Sequence, residues 1–157
     1  MKTLIVYYSR TGTTKKVAEI LSVKMKADLE EIIDTVDRSG AMGYLKAGRD
    51  ATLKKLTKIR PVKRNLADYD LVVVGAPVWA WTMATPILTF LTENKIKLKK
   101  VAFFCTMGGS GAEKTFLQMS ETSGLKPLTT LSLLTKEVIQ GGEQDKINNF
   151  LEEIYDN

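Results

Sequence analysis

The chain has 157 residues, 44% hydrophobic and 26% charged, with 23 Lys and Arg against 18 Asp and Glu. It has no histidine and one cysteine, which excludes an imidazole base, a Ser–His dyad, a His-ligated metal and a cysteine-clustered zinc or iron–sulfur site. Its length suffices to bury about two thirds of the unfolded surface, so one domain over residues 1–157 is expected, without disulfides or metal. So sparse an acid–base inventory suits a protein that takes its chemistry from a redox cofactor.

No apolar stretch approaches the eighteen residues of a membrane span. The segment 1–8 reads as a first strand and not as a secretory signal, so a cytoplasmic protein is expected. The first apolar run, Leu4–Tyr8, stops at Ser9-Arg10-Thr11-Gly12-Thr13-Thr14, and a helical pattern follows over 13–26 with Val17, Ile20, Leu21 and Met25 on one face. Further strand signals fall at 27–33, 71–76, 101–106 and 128–134. Helix-compatible segments fall at 84–93, 112–123 and 143–155. Alternating strands and helices predict an α/β fold: a three-layer, doubly wound, five-stranded parallel sheet. Leu71-Val72-Val73-Val74 and Val101-Ala102-Phe103-Phe104 are continuously apolar, as central strands buried on both faces should be. Cys105 lies in the latter strand and reads as a small buried hydrophobe.

In such sheets ligands bind at the carboxyl ends of the strands. Three loops leave those ends: 9–14, 77–82 and 106–111. The first combines four hydroxyl residues with a glycine at a helix N-terminus, where backbone N–H groups and the helix dipole favour an anion. Its hydroxyls also suit simple helix capping. The spacing is neither Gly-x-x-x-x-Gly-Lys-Ser/Thr nor Gly-x-Gly-x-x-Gly. Donors that are mostly neutral suit a phosphate that is held and not transferred.

Ser9-Arg10-Thr11-Gly12-Thr13-Thr14 resembles the FMN phosphate loop of the flavodoxin family, written Ser/Thr-x-Thr-Gly-x-Thr. Gly75-Ala76-Pro77-Val78-Trp79-Ala80-Trp81-Thr82 resembles the family's second loop, beside the isoalloxazine ring, and Thr106-Met107-Gly108-Gly109-Ser110-Gly111 stands where the third belongs. The resemblance covers nearly the whole chain and implies a flavodoxin-like fold with noncovalent FMN. It implies phosphate binding at 9–14, with Arg10 contributing backbone and its guanidinium pointing outward toward a substrate or cofactor phosphate. It implies Trp79 as the ring contact, Trp81 as a wall or partner-facing surface, and Thr82 near the pyrimidine edge, with Met83-Ala84 opening the next helix. Both tryptophans also suit core or interface aromatics, and the 108–111 glycines suit a permissive turn.

Three departures from electron-carrier flavodoxins bear on function. No stacking tyrosine lies between Thr106 and Gly111, which implies an outer ring face open to a flat substrate. Ala80 stands where many flavodoxins have a glycine whose peptide flips on one-electron reduction. A Cβ penalises positive φ, so poor stabilisation of the one-electron form is expected. Finally, residues 38–64 carry nine basic residues and one acid, Asp50. This basic insertion between second and third strands, with a helix expected over 42–56 and packed by Leu45, Leu53 and Leu56, reads as a solvated face or as a docking surface for an anionic partner or NAD(P)H phosphates. With one aromatic and no binding motif it does not suit nucleic acid.

Two roles follow from the resemblance: an electron-transfer flavoprotein that docks with redox partner proteins, or an NAD(P)H-dependent FMN oxidoreductase acting on a quinone or similar flat acceptor. A flavin-free binding module is a further alternative, and monomer and homodimer both suit the chain.

Overall fold

The structure, a computed structural model, describes residues 1–156. In chain order the elements are β1 (Thr3–Tyr7), α1 (Thr13–Met25), β2 (Asp28–Glu31), α2 (Gly40–Thr52), β3 (Leu71–Trp79), β4 (Thr82–Met83), α3 (Thr85–Asn94), β5 (Val101–Met107), α4 (Ala112–Ser123), β6 (Thr130–Leu134), α5 (Thr135–Gln140) and α6 (Gln144–Tyr155). Five strands pair in parallel in the order β2-β1-β3-β5-β6. The order reverses between β1 and β3, and the chain's first and second strand-end loops meet there.

The central strands read as unbroken apolar runs because each face meets a different helical layer. Along β1 and β3, Leu4, Val6, Val72 and Val74 pack with Ala47 and Ala51 of α2, Ile87 and Leu91 of α3, and Met119 of α4. Their neighbours Ile5, Leu71 and Val73 pack on the opposite face with Val17 and Leu21 of α1 and with Ile147, Phe150 and Ile154 of α6. That alternation is the two-residue period of a strand. Cys105 is fully buried in β5, and burial pushes its thiol up to about 12, which leaves it unionised at neutral pH.

The structure corrects several sequence boundaries. β3 extends to Trp79 and turns back through Ala80-Trp81 into β4, with Val78 opposite Met83 and Trp79 opposite Thr82. The expected second loop is therefore a tight hairpin, and Met83 belongs to β4, with α3 starting at Thr85. The helix expected over 42–56 runs from Gly40 to Thr52. Leu45, Leu53 and Leu56 do not pack it: each is more than half exposed, and Gly43, Ala47, Asp50 and Ala51 face inward instead. Small residues win that face because α2 lies against the backbone at Arg38, where a Cβ on Gly43 would come within 2.1 Å of a carbonyl carbon. The short helix α5 was not visible in the sequence pattern.

Arg38, counted with the basic run, is also buried. Its Nε donates to Asp34 at 2.6 Å and its Nη1 to Asp50 at 3.0 Å, all three side chains being almost fully enclosed. Burial works against the charge on Asp50, but hydrogen bonds from Arg38 and Arg49 outweigh it and hold the carboxyl below its ordinary value. This cluster fastens the β2–α2 connection and α2 onto the sheet.

Candidate functional site

The site is assembled at the carboxyl ends of β1, β3 and β5. After β1, Gly12 takes φ +95°, in the left-handed region that glycine alone adopts without penalty, and serves as the N-cap of α1. The Gly12 N–H donates to Ser9 Oγ at 3.1 Å, which folds the turn. Glycine brings no capping side chain, so no side chain caps α1, and its first-turn N–H groups are left for an external acceptor. A Cβ at Gly12 would meet nothing within 4 Å, so the turn opens to solvent.

The hydroxyls of this turn divide. Thr14 is buried and shares a 2.7 Å hydrogen bond with buried Thr106, linking the start of α1 to β5. Ser9, Thr11 and Thr13 lie partly or fully exposed around Gly12. Arg10 does not point outward. Its Nε donates to the Arg38 carbonyl at 3.0 Å and its Nη2 to the Gly40 carbonyl at 3.2 Å, while the guanidinium carbon lies 5.4 Å from the Tyr44 ring. Its charge ties the turn to the start of α2, and the other side-chain donors within Ser9–Thr14 are neutral hydroxyls.

The two tryptophans part company at the hairpin. Trp79 is 8% exposed and meets Tyr8 edge-on, ring centroids 5.4 Å apart at 89°. On it lies the Arg38 guanidinium, 5.2 Å from the ring centroid. Trp79 is thus largely enclosed, supporting the hairpin from behind, while its remaining exposed surface lines the cavity between the hairpin and α2. Burial, with the Asp34 carboxylate nearby, pushes the Tyr8 phenol up to about 12. Trp81 is 63% exposed, and its Nε1–H donates to Ser110 Oγ at 3.2 Å. Thr82 is buried, its hydroxyl shared between the carbonyls of Ala51 and Trp79.

Ala80 and Trp81 carry φ +47° and +62°. A two-residue hairpin connection with both φ positive has the signature of a type I′ turn, which ordinarily takes Asn-Gly. The Cβ of Ala80 therefore does not keep it out of the left-handed region. The penalty is borne by the fold, held by the β3–β4 pairing and by Gly111, where a Cβ would come within 2.9 Å of Trp81 Cα and Val78 Cγ1. Pro77 and Val78 are half-buried in β3, Met107 ends β5 half-buried, and Gly108, Gly109 and Ser110 are exposed.

Two concavities border these loops. One of about 600 Å³ lies between Ser9–Thr11 and residues 34–40. The other, of about 540 Å³, lies between the hairpin, Gly109-Ser110 and α2. Tyr44, Leu45, Gly48 and Arg49 of α2 line the second cavity, and the strand-end logic of the sequence did not bring them to the site. The one local signal was a glycine in a helix interior four residues after a tyrosine. Among the described residues no group of His, Cys, Asp or Glu is arranged to hold a metal, and no helix is long and apolar enough to cross a membrane.

The sequence model of the flavodoxin family matches residues 2–154. Among solved structures, a flavoprotein from Lactobacillus acidophilus in complex with FMN is 29% identical with a TM-score of 0.74, over 94% of this chain and 98% of that one. The apo form of the flavoprotein from the same organism, solved by NMR, is 29% identical with a TM-score of 0.63, over 85% and 91% of the two chains. The two-electron-reduced flavodoxin of Megasphaera elsdenii shares the fold at 20% identity and a TM-score of 0.56, over 85% of each chain. No curated protein matches.

Proposed function

Because the chain belongs to the flavodoxin family, we propose that it is an FMN-binding redox protein that works as an electron-transfer flavoprotein. The observation that carries this reading is the uncapped N-terminus of α1, opened by Gly12 and ringed by Ser9, Thr11 and Thr13, at the point where the strand order reverses. The donor set fits a phosphate: backbone N–H groups at the positive end of a thirteen-residue helix, with neutral hydroxyls around them. The hairpin and Gly108–Gly111 form the ring side of the site, with Trp81 as its exposed aromatic and Trp79 as the buried support. When bound, FMN supplies electron and hydride transfer, and the protein's part is to bind, orient and shield it.

In this reading Thr14 and Thr106 brace the phosphate turn against β5 through their shared hydrogen bond. Arg10 holds the same turn to the β2–α2 connection. No described side chain lining the ring pocket is a buried acid or base, so protons of any reduced acceptor come from solvent or from the flavin itself. An NAD(P)H-dependent oxidoreductase acting on a flat acceptor is the second reading. It is favoured by Arg49, whose side chain is 62% exposed where it borders the ring-side cavity.

Titration of ligand-free protein with FMN and with riboflavin tests the phosphate assignment. Charge-assisted hydrogen bonds contribute about 1.5–3 kcal/mol each, so FMN is expected to bind at least about a hundredfold more tightly. Equal affinities would sink the assignment of the phosphate to Ser9–Thr14. Anaerobic reduction then separates the roles. Slow reaction with NAD(P)H beside ready one-electron exchange with a carrier protein supports electron transfer, and fast two-electron reduction by NAD(P)H supports the oxidoreductase.

A further inference from the structure

We propose that the Tyr44–Gly48 face of α2 is a wall of the ring pocket and takes one face of the cofactor's planar isoalloxazine ring, a reading that rests on FMN occupying this site. The basic insertion would then be part of the cofactor site and not merely a surface beside it.

The first observation is a pair of exposed aromatics on one cavity. Tyr44 is 66% exposed and Trp81 63% exposed, and both line the cavity of about 540 Å³ between α2 and the β3–β4 turn. Cofactor pockets typically measure about 300–1,000 Å³ and present aromatic walls. Residues 106–111 supply no aromatic, and Tyr44 fills that gap from a different element.

The second observation is how Tyr44 is held. The Arg10 guanidinium lies 5.4 Å from its ring centroid, and that guanidinium is itself anchored on the carbonyls of Arg38 and Gly40. An exposed ring fastened in this way is preorganised for a stacking partner. The fastening runs from the proposed phosphate turn, so one residue joins both ends of the cofactor site.

The third observation is Gly48. It stands four residues after Tyr44 and therefore on the same helix face. Glycine is disfavoured in a helix interior. At Gly43 the reason is packing, because a Cβ would strike the Arg38 backbone. At Gly48 a Cβ would meet nothing within 4 Å, so no contact within the protein requires glycine there. What the missing side chain leaves is a flat stretch of wall facing the cavity, which suits a planar ring.

The test uses ligand-free wild type, Gly48→Leu, Tyr44→Ala and Tyr44→Phe. Each is titrated with FMN and with riboflavin by flavin fluorescence, and each is melted without ligand. Leucine is a better helix former than glycine and enters open space, so Gly48→Leu should melt about 2–4 °C higher yet bind both flavins at least about tenfold more weakly. Tyr44→Ala should weaken both by about three- to tenfold with an unchanged melt, and Tyr44→Phe should restore wild-type affinity. Wild-type affinity in Gly48→Leu and Tyr44→Ala overturns the wall, as does a loss confined to FMN, which would be a phosphate effect. If wild type itself takes up neither flavin, the cofactor reading fails and the wall falls with it.

Discussion

Ala80→Gly should stabilise this protein, against the usual sign for that substitution. Ala80 sits at φ +47° at the first position of the hairpin turn, where an L-residue bears a penalty of roughly 1–2 kcal/mol that glycine does not. Glycine also loosens the unfolded chain, which costs about 0.4–1 kcal/mol. The net is a gain of about 0.5–1 kcal/mol, or about 1–4 °C in melting temperature for a domain of this size. Ala41→Gly, at an exposed position in the first turn of α2, is the control and should lose up to about 0.5 kcal/mol, less than a helix-interior glycine. Urea unfolding of both ligand-free variants, with the m-value unchanged, measures the pair. The two alanine-to-glycine changes should therefore differ in sign. If Ala80→Gly loses as much as Ala41→Gly, the turn does not hold Ala80 in the left-handed region in solution, and the argument for a strained hairpin fails.

Arg38→Met leaves Asp34 enclosed without a cation and Asp50 with only the largely exposed Arg49, and should cost about 3–5 kcal/mol in urea unfolding; a loss under about 1 kcal/mol would mean that the cluster opens to water. Asp50 has a lowered pKa in the fold, so its stabilisation is fully present above its unfolded value of about 3.9 and is lost as pH falls through the lower folded value. The stability gap between wild type and Asp50→Asn should accordingly be constant from pH 7 to about 5 and shrink below about 4, and a gap that widens on acidification contradicts the sign. Trp81→Phe should leave a blue-shifted emission from Trp79 that iodide barely quenches, since Trp79 is 8% exposed and Trp81 63%. Strong iodide quenching in that variant would show Trp79 at the surface.

The fold was legible because its signals are local. Runs such as Leu71–Val74 need both faces covered, and strands separated by helix-length segments need crossovers, so the parallel sheet follows from spacing. The end of β3 was misread because Pro77 and the paired tryptophans look like loop chemistry. Pro77 has no N–H to give, but its carbonyl accepts from Ala84 and its neighbours pair with β4, a partnership that exists only once the chain turns back. The hairpin turn itself carries none of the expected Asn-Gly signal.

By itself the sequence determined the layered α/β architecture, the glycine at the start of α1 and three strand-end loops rich in hydroxyls and small residues, since hydrophobic period and backbone permissiveness are properties of neighbouring residues. Tertiary structure alone decided which tryptophan is buried, that Arg38 is a core ion partner of Asp34 and Asp50, and that α2 brings Tyr44 and Gly48 to the loop cluster. Those outcomes depend on contacts between residues far apart in the chain. A charge run looks solvated until burial and pairing enclose one of its members, and a helix face has no assigned side until the sheet supplies one.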